Sequence, residues 1–156
     1  MTLNQKETTL LQDLKSQEQL CVDKYSKYSS DASDGTLKNL FTQLGQTEQR
    51  HLETIGKILG GTVPASSSSS GSSSGSQSAS AQVGSNRCTA EEKQKDKYLC
   101  SDALSMEKHV SSVYDTCIFE FRDTNIRDTL NHIQKEEQGH GERLYNYMAQ
   151  NGMYSG

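Results

Sequence analysis

From Leu10, large residues recur at Leu14, Cys21, Tyr25 and Tyr28. Steps of three, four or seven trace one face of an α-helix. The stretch SSDASDGT breaks the pattern, and Asp34 within it is placed to cap a following helix. A second stripe runs through Leu37, Phe41, Leu44, Leu52, Ile55 and Leu59, until Gly60, Gly61 and Pro64 stop it. The third stripe is Leu99, Ala103, Val110, Tyr114 and Cys117. FRDTN interrupts it, with Asp123 or Thr124 as the cap candidate, and the fourth runs through Ile126, Leu130, Ile133, Leu144 and Met148. These flanks hold no long alternating runs of β-branched residues. The pattern predicts an all-α chain with helices at 4–30, 35–59, 90–121 and 125–150. They form two helical hairpins, 4–59 and 90–150, within a single domain over 1–156.

Residues 62–88 read as a flexible linker between the hairpins. Between Ser66 and Ser85, 12 of 20 residues are Ser, which explains why hydrophobic residues make up only 31% of the 156-residue chain. A flexible linker of this length has an r.m.s. span of roughly 30 Å. That suits a crossover running the length of the bundle, though it also permits a plain up-down-up-down order.

Charge and composition narrow the partners. With 16 basic and 20 acidic residues and a pI near 5.5, the chain offers no basic surface for nucleic acid. No apolar run reaches the ~18 residues of a membrane span. The start, MTLNQKETTLLQDLK, has no basic region followed by an apolar stretch, so no secretory signal is expected and synthesis is expected in the cytoplasm. Cys21, Cys88, Cys100 and Cys117 are too scattered for a disulfide framework and form no CxxC pair. Cys88, at the linker end, is expected to be exposed, and Cys21 to be a buried thiol.

The two hairpins align without a gap at a shift of 89 residues. Leu10 falls on Leu99, Tyr25 on Tyr114, Asp34 on Asp123, Leu37 on Ile126, Phe41 on Leu130 and Ile55 on Leu144. Matching of polar positions as well as apolar ones points to a duplication. The same shift superposes the residues that break the stripes: Glu18 on Glu107, Glu48 on Glu137 and His51 on His140. Each Glu-x-x-His pair projects from one helix face. Glu18 and Glu48 are 30 residues apart, as are Glu107 and Glu137, with a bend midway. At about 1.5 Å per residue, both members of a pair lie roughly 22 Å from their bend and face each other at one level.

If the halves pack about a two-fold axis, four carboxylates and two imidazoles converge at mid-bundle. Bare carboxylates there would cost several kcal/mol each and repel one another. Two divalent cations cancel the charge. One Glu from each of two helices and a Glu-x-x-His from each of the other two is the ligand set of dinuclear iron or manganese carboxylate bundles. Ordinary solvated surface charges would not fall inside the apolar stripes.

The ligand pattern resembles that of the ferritin-like superfamily. The first hairpin, EQLCVDKYSKYSSDASDGTLKNLFTQLGQTEQRHLETI, is similar to the spore coat F (Coat F-like) family, and the second, KYLCSDALSMEKHV through KEEQGHGERLYNYM, fits the same template more loosely. The resemblance implies a ferritin-like four-helix bundle built in a spore-forming bacterium and placed in the spore coat. It implies two Fe or Mn ions held by Glu18, Glu48, His51, Glu107, Glu137 and His140, with Glu48 and Glu137 bridging and Glu18 and Glu107 terminal.

The remaining polar residues read as bland. Tyr25 and Tyr114, about two turns after Glu18 and Glu107, could relay electrons or hydrogen-bond a ligand, with core tyrosines bearing wet hydroxyls the preferred expectation, and His109, His132, Glu120 and Glu136 are expected to be solvated. Gly139 and Gly141 weaken the helix around His140. Two functions stay open. One is a dinuclear protein acting on O₂ or peroxide or oxidising metal. The other is a structural coat component in which the metal is a staple without turnover, partnered by other coat proteins or its own copies. A metal-free bundle mediating protein contacts is a third reading.

Overall fold

The computed structural model describes residues 2–63 and 88–153, and Pro64 and most of the Ser-rich linker lie outside them. The described residues form four helices, α1 (Gln5–Asp31), α2 (Gly35–Leu59), α3 (Ala90–Ile118) and α4 (Thr124–Gln150), and no strand. Each start has a side-chain cap. Asn4 and Glu7 make a reciprocal capping box on α1, and Asp34, Thr89 and Asp123 cap α2, α3 and α4. Of the two candidates at the second bend, Asp123 is the cap. Gly60 follows α2, and Gly61, at φ 92°, takes a backbone conformation that a side chain would strain. Near His140, α4 runs unbroken through Gly139 and Gly141.

α3 ends at Ile118, three residues before the expected 121. Phe119 is 84% exposed, while Phe121 is buried. Turning Phe121 inward requires the chain to leave the helix, and the last amides tighten onto Cys117 and Ile118 carbonyls as it does so.

α1 packs on α2 and α3, and α4 packs on α3 and α2. Lys6 meets Glu120 at one end of the bundle, at 2.7 Å. Tyr147 of α4 donates to Asp34, the α2 cap, at the other end, at 2.5 Å. Neighbours are therefore antiparallel, and α2 and α3 run parallel on a diagonal. The end of α2 and the start of α3 lie at opposite ends of the bundle, which is the crossover order rather than the up-down-up-down one.

The core follows the stripes, with small rotations. Leu11 and Ile58 are buried where Leu10 and Leu59 were expected, and these two lie partly covered beside the core. Besides the Asp34 cap, the carboxylates of Glu7 and Asp96 are buried, and these two are related by the same shift of 89. Asp96 accepts from the amides of Ser33 and Asp34 in the first bend, at 2.8 and 3.0 Å. Glu7 accepts from the amide and guanidinium of Arg122 in the second, at 3.3 and 3.2 Å. Arg122 lies 89 residues after Ser33, so each hairpin pins the other's bend in the same way. Arg122 holds the Glu7 carboxyl below its usual range.

Candidate functional site

Six side chains break the apolar stripes, and all six are buried: Glu18, Glu48, His51, Glu107, Glu137 and His140 are each at most 5% exposed. One comes from α1, two from α2, one from α3 and two from α4. Helical spacing puts each of them on the face that carries the neighbouring core residues, so burying Leu14, Leu44, Ala103 and Ile133 draws the six in with them.

They form two overlapping donor sets. Glu18, Glu48, His51 and Glu137 each offer an atom within 4.8 Å of the others, and so do Glu48, Glu107, Glu137 and His140. Glu48 and Glu137 belong to both, while Glu18 and Glu107 each belong to one. Each set has three carboxylates and an imidazole, a donor group suited to a divalent cation such as Fe or Mn.

Both histidines turn Nδ1 inward. His51 Nδ1–H donates to Glu137 at 2.8 Å and lies 3.3 Å from Glu48. His140 Nδ1–H donates to Glu48 at 2.9 Å and lies 3.2 Å from Glu107. The two rings lie nearly parallel with centroids 6.1 Å apart. Every imidazole thus reaches a glutamate of another helix, which ties the two hairpins together at this level.

Hydrogen bonds leave the site short of partners. Glu18 Oε2, Glu107 Oε2 and Glu137 Oε2 are buried with no hydrogen-bond partner. Buried polar atoms are rarely left so, and each orphan costs about 1–3 kcal/mol. Protons carry part of the missing charge. Burial, reinforced by the neighbouring Glu48 carboxyl, pushes Glu18 up to about 11. Burial opposes a charge on His51, yet its bonds to Glu136, Glu137 and Glu48 outweigh this and raise it to about 12. His140 rises to about 11 against the same desolvation, through Glu107, Glu137 and Glu48.

Three residues around the six are not as the sequence suggested. The Tyr25 and Tyr114 hydroxyls are dry. Tyr25 donates across the bundle to Glu107, and Tyr114 donates to Glu18 at 2.5 Å. Burial and these glutamates hold both phenols well above their ordinary range, so they stay protonated donors. Their recurrence seven residues after each glutamate was the available signal. Gly45 on α2 lets α1 come close at Tyr25, since a Cβ there would stand 3.2 Å from that of the tyrosine. Glu136 is not simply solvated. It is half-buried and accepts from His51 Nε2–H at 3.0 Å, while the exposed His132 lies 3.2 Å from the same oxygen. That contact joins α2 to α4, so spacing along α4 could not reveal it.

The other residues are less involved. His109, His132 and Glu120 are exposed as expected. Cys21 is buried, and burial together with the glutamates raises its thiol far above the ordinary value, so it stays protonated. Cys88 is partly buried, in a recess with Asp34, Asp96 and Tyr147, rather than exposed. The described cysteines are all free.

No helix among the described residues is long and apolar enough to cross a membrane. Residues 95–155 match the family model of the Coat F domain. The match starts inside α3 and takes in all of α4, so it carries Glu107, Glu137 and His140. It falls on the second hairpin, whereas the first had looked the closer in wording. No curated protein and no solved structure matches the chain.

Proposed function

We propose that the chain is a spore coat protein of ferritin-like type whose bundle holds two Fe or Mn ions and acts on O₂ or peroxide. The observation that carries the metal reading is the set of three orphaned carboxylate oxygens inside two four-residue donor sets that share Glu48 and Glu137. A cation at each set would supply the missing partners. The coat assignment rests on the Coat F match over residues 95–155.

In this reading Glu18 and His51 hold one ion, Glu107 and His140 hold the other, and Glu48 and Glu137 serve both. Paired ions held there would supply electrons and Lewis acidity toward a small oxidant such as O₂ or peroxide. The chain's own residues do the rest. Tyr114 fixes one oxygen of Glu18, and Tyr25 does the same for Glu107, which leaves the second oxygen of each free for a ligand bond. Glu136 holds His51 Nε2–H, so the ring presents Nδ1 to the site. The core around Phe41 and Leu44 excludes water.

Glu136→Ala is expected to weaken one of the two ions by about 10–100-fold, since the loss of a partner behind a histidine ligand has that effect. Competition against a graded chelator reads it as a single weakened step, with the second step unmoved.

Elemental analysis of the purified full chain tests the reading first, with about two ions per chain expected. Anaerobic loading with Fe(II) or Mn(II), followed by peroxide, tests turnover. A loaded chain inert to both O₂ and peroxide overturns the enzymatic function and leaves the metal as a structural staple, a role that the coat match also favours. A chain that takes up no metal overturns both.

A further inference from the structure

We propose that the groove between α3 and α4 is the route by which a divalent cation enters the site, and that Gly141 holds it open. The inference rests on the dinuclear reading above and concerns how that site is filled.

The groove has a volume of about 630 Å³, and its lining includes Glu107 and Glu137, two of the residues that carry orphaned oxygens. Asp115 and Glu142 line it as well, and Lys108 is the cation among them. Four carboxylates against one ammonium give the groove a negative field, and such a cleft concentrates cations and speeds their arrival. The duplicated hairpin carries a smaller groove, displaced toward its bend. Its groove between α1 and α2 measures about 380 Å³, is lined by Tyr25, Phe41 and Gly45, and touches none of the six site residues.

The two hairpins differ at one telling place. Shifted by 89 residues, Gly141 corresponds to Leu52, which is partly buried on α2. A Cβ at position 141 would stand 3.7 Å from Leu104 Cδ1, so a methyl group fits but a leucine would extend across the groove. The duplication thus yields a site with two similar halves, and the groove between α3 and α4 reaches it on the side of Glu107 and Glu137.

The test is the rate of Co²⁺ uptake by the metal-free full chain, followed by rapid-mixing absorbance. Gly141→Leu is expected to slow uptake by about tenfold or more, with the final cobalt content unchanged. Gly139→Leu, whose Cβ meets nothing within 4 Å, is the control for putting leucine beside His140 and is expected to fill at the wild-type rate. The Asp115→Asn/Glu142→Gln double variant leaves the groove's shape alone. It is expected to fill more slowly and with a weaker dependence on salt. It also decides the matter if Gly141→Leu fails to fold. Wild-type rates in Gly141→Leu, or in the double variant, overturn the route while leaving the dinuclear site intact. A wild-type chain that binds no cobalt overturns the site and the route together.

Discussion

Glu48→Gln is expected to leave the chain almost free of metal, while Glu18→Gln is expected to leave about one ion in place. The difference follows from the geometry, because Glu48 belongs to both donor sets and Glu18 to one. Elemental analysis of the two variants reads it directly, and equal losses would count against shared carboxylates. The loss of stability should be larger in loaded protein than in metal-free protein. In the metal-free protein Glu48 accepts from His140 Nδ1–H at 2.9 Å and lies 3.3 Å from His51 Nδ1, while it helps to push the Glu18 carboxyl up to about 11. Glutamine keeps the volume but takes a charged acceptor away from two buried imidazoles, so the metal-free variant should melt somewhat below wild type. In loaded protein the same change removes a ligand to each ion. Saturating metal at about 1,000 times its dissociation constant stabilises a site by about 4 kcal/mol, so the loaded variant should melt on the order of 10–20 °C below loaded wild type. A variant that destabilises both forms equally would mean that Glu48 serves packing alone.

The second large effect is a dependence on pH that metal should reverse. His51 and His140 have folded values of about 12 and 11, above the ordinary 6.5. Glu18 has a folded value of about 11, above 4.5. For all three the folded state holds protons more tightly than the unfolded chain. Their contribution is complete below the unfolded values and is lost as pH rises toward the folded ones. Metal-free protein should therefore melt at progressively lower temperature as pH is raised from about 7 to about 9. Metal binding has to displace those protons from Nδ1 of each histidine and from Glu18, so cation affinity should rise over the same range. Thermal melts with and without metal, and a pH-indicator dye to count released protons, check both halves. A flat melting profile in the metal-free protein would show that the six groups do not share protons in the way their contacts imply.

These effects depend on residues that differ in how much of their role can be read along the chain. Glu18, Glu48, His51 and their partners in the second hairpin stand in apolar stripes at a common shift, so both their burial and their common level follow from helical periodicity. Asp34 and Asp123 are recognisable as caps by residue type and by the break in pattern around them. Glu7 and Asp96 obey the same shift, but their role depends on amides in the opposite hairpin. Neither the capping box at Glu7 nor the position of Asp96 in the second turn of α3 shows that they reach across to the opposite bend. Glu136 is a stronger instance. Along α4 it points away from Glu137, and only the approach of α2 puts His51 Nε2 within reach.

Tyr25 and Tyr114 fall between these cases. Their depth was set by the stripe, while the direction of their hydroxyls was set by which helix lies opposite. The groove beside Gly141 belongs wholly to packing. A glycine in a helix reads as a weak point in propensity, and it becomes a door only because Leu104 of α3 lies across from it.

Sequence by itself determined four helices in two related hairpins, the faces they bury, and which six polar side chains must be buried with those faces. A period of 3.6 residues and an exact repeat carry that much, since both are properties of a single helix or of one hairpin laid on its copy. Tertiary structure decided the antiparallel order of neighbours, the exchange of Tyr25 and Tyr114 between hairpins, the grip of Glu136 on His51, and the groove that reaches Glu107 and Glu137. Those depend on the distance and rotation between helices. Core side chains of unequal size set these jointly, so no segment encodes them alone.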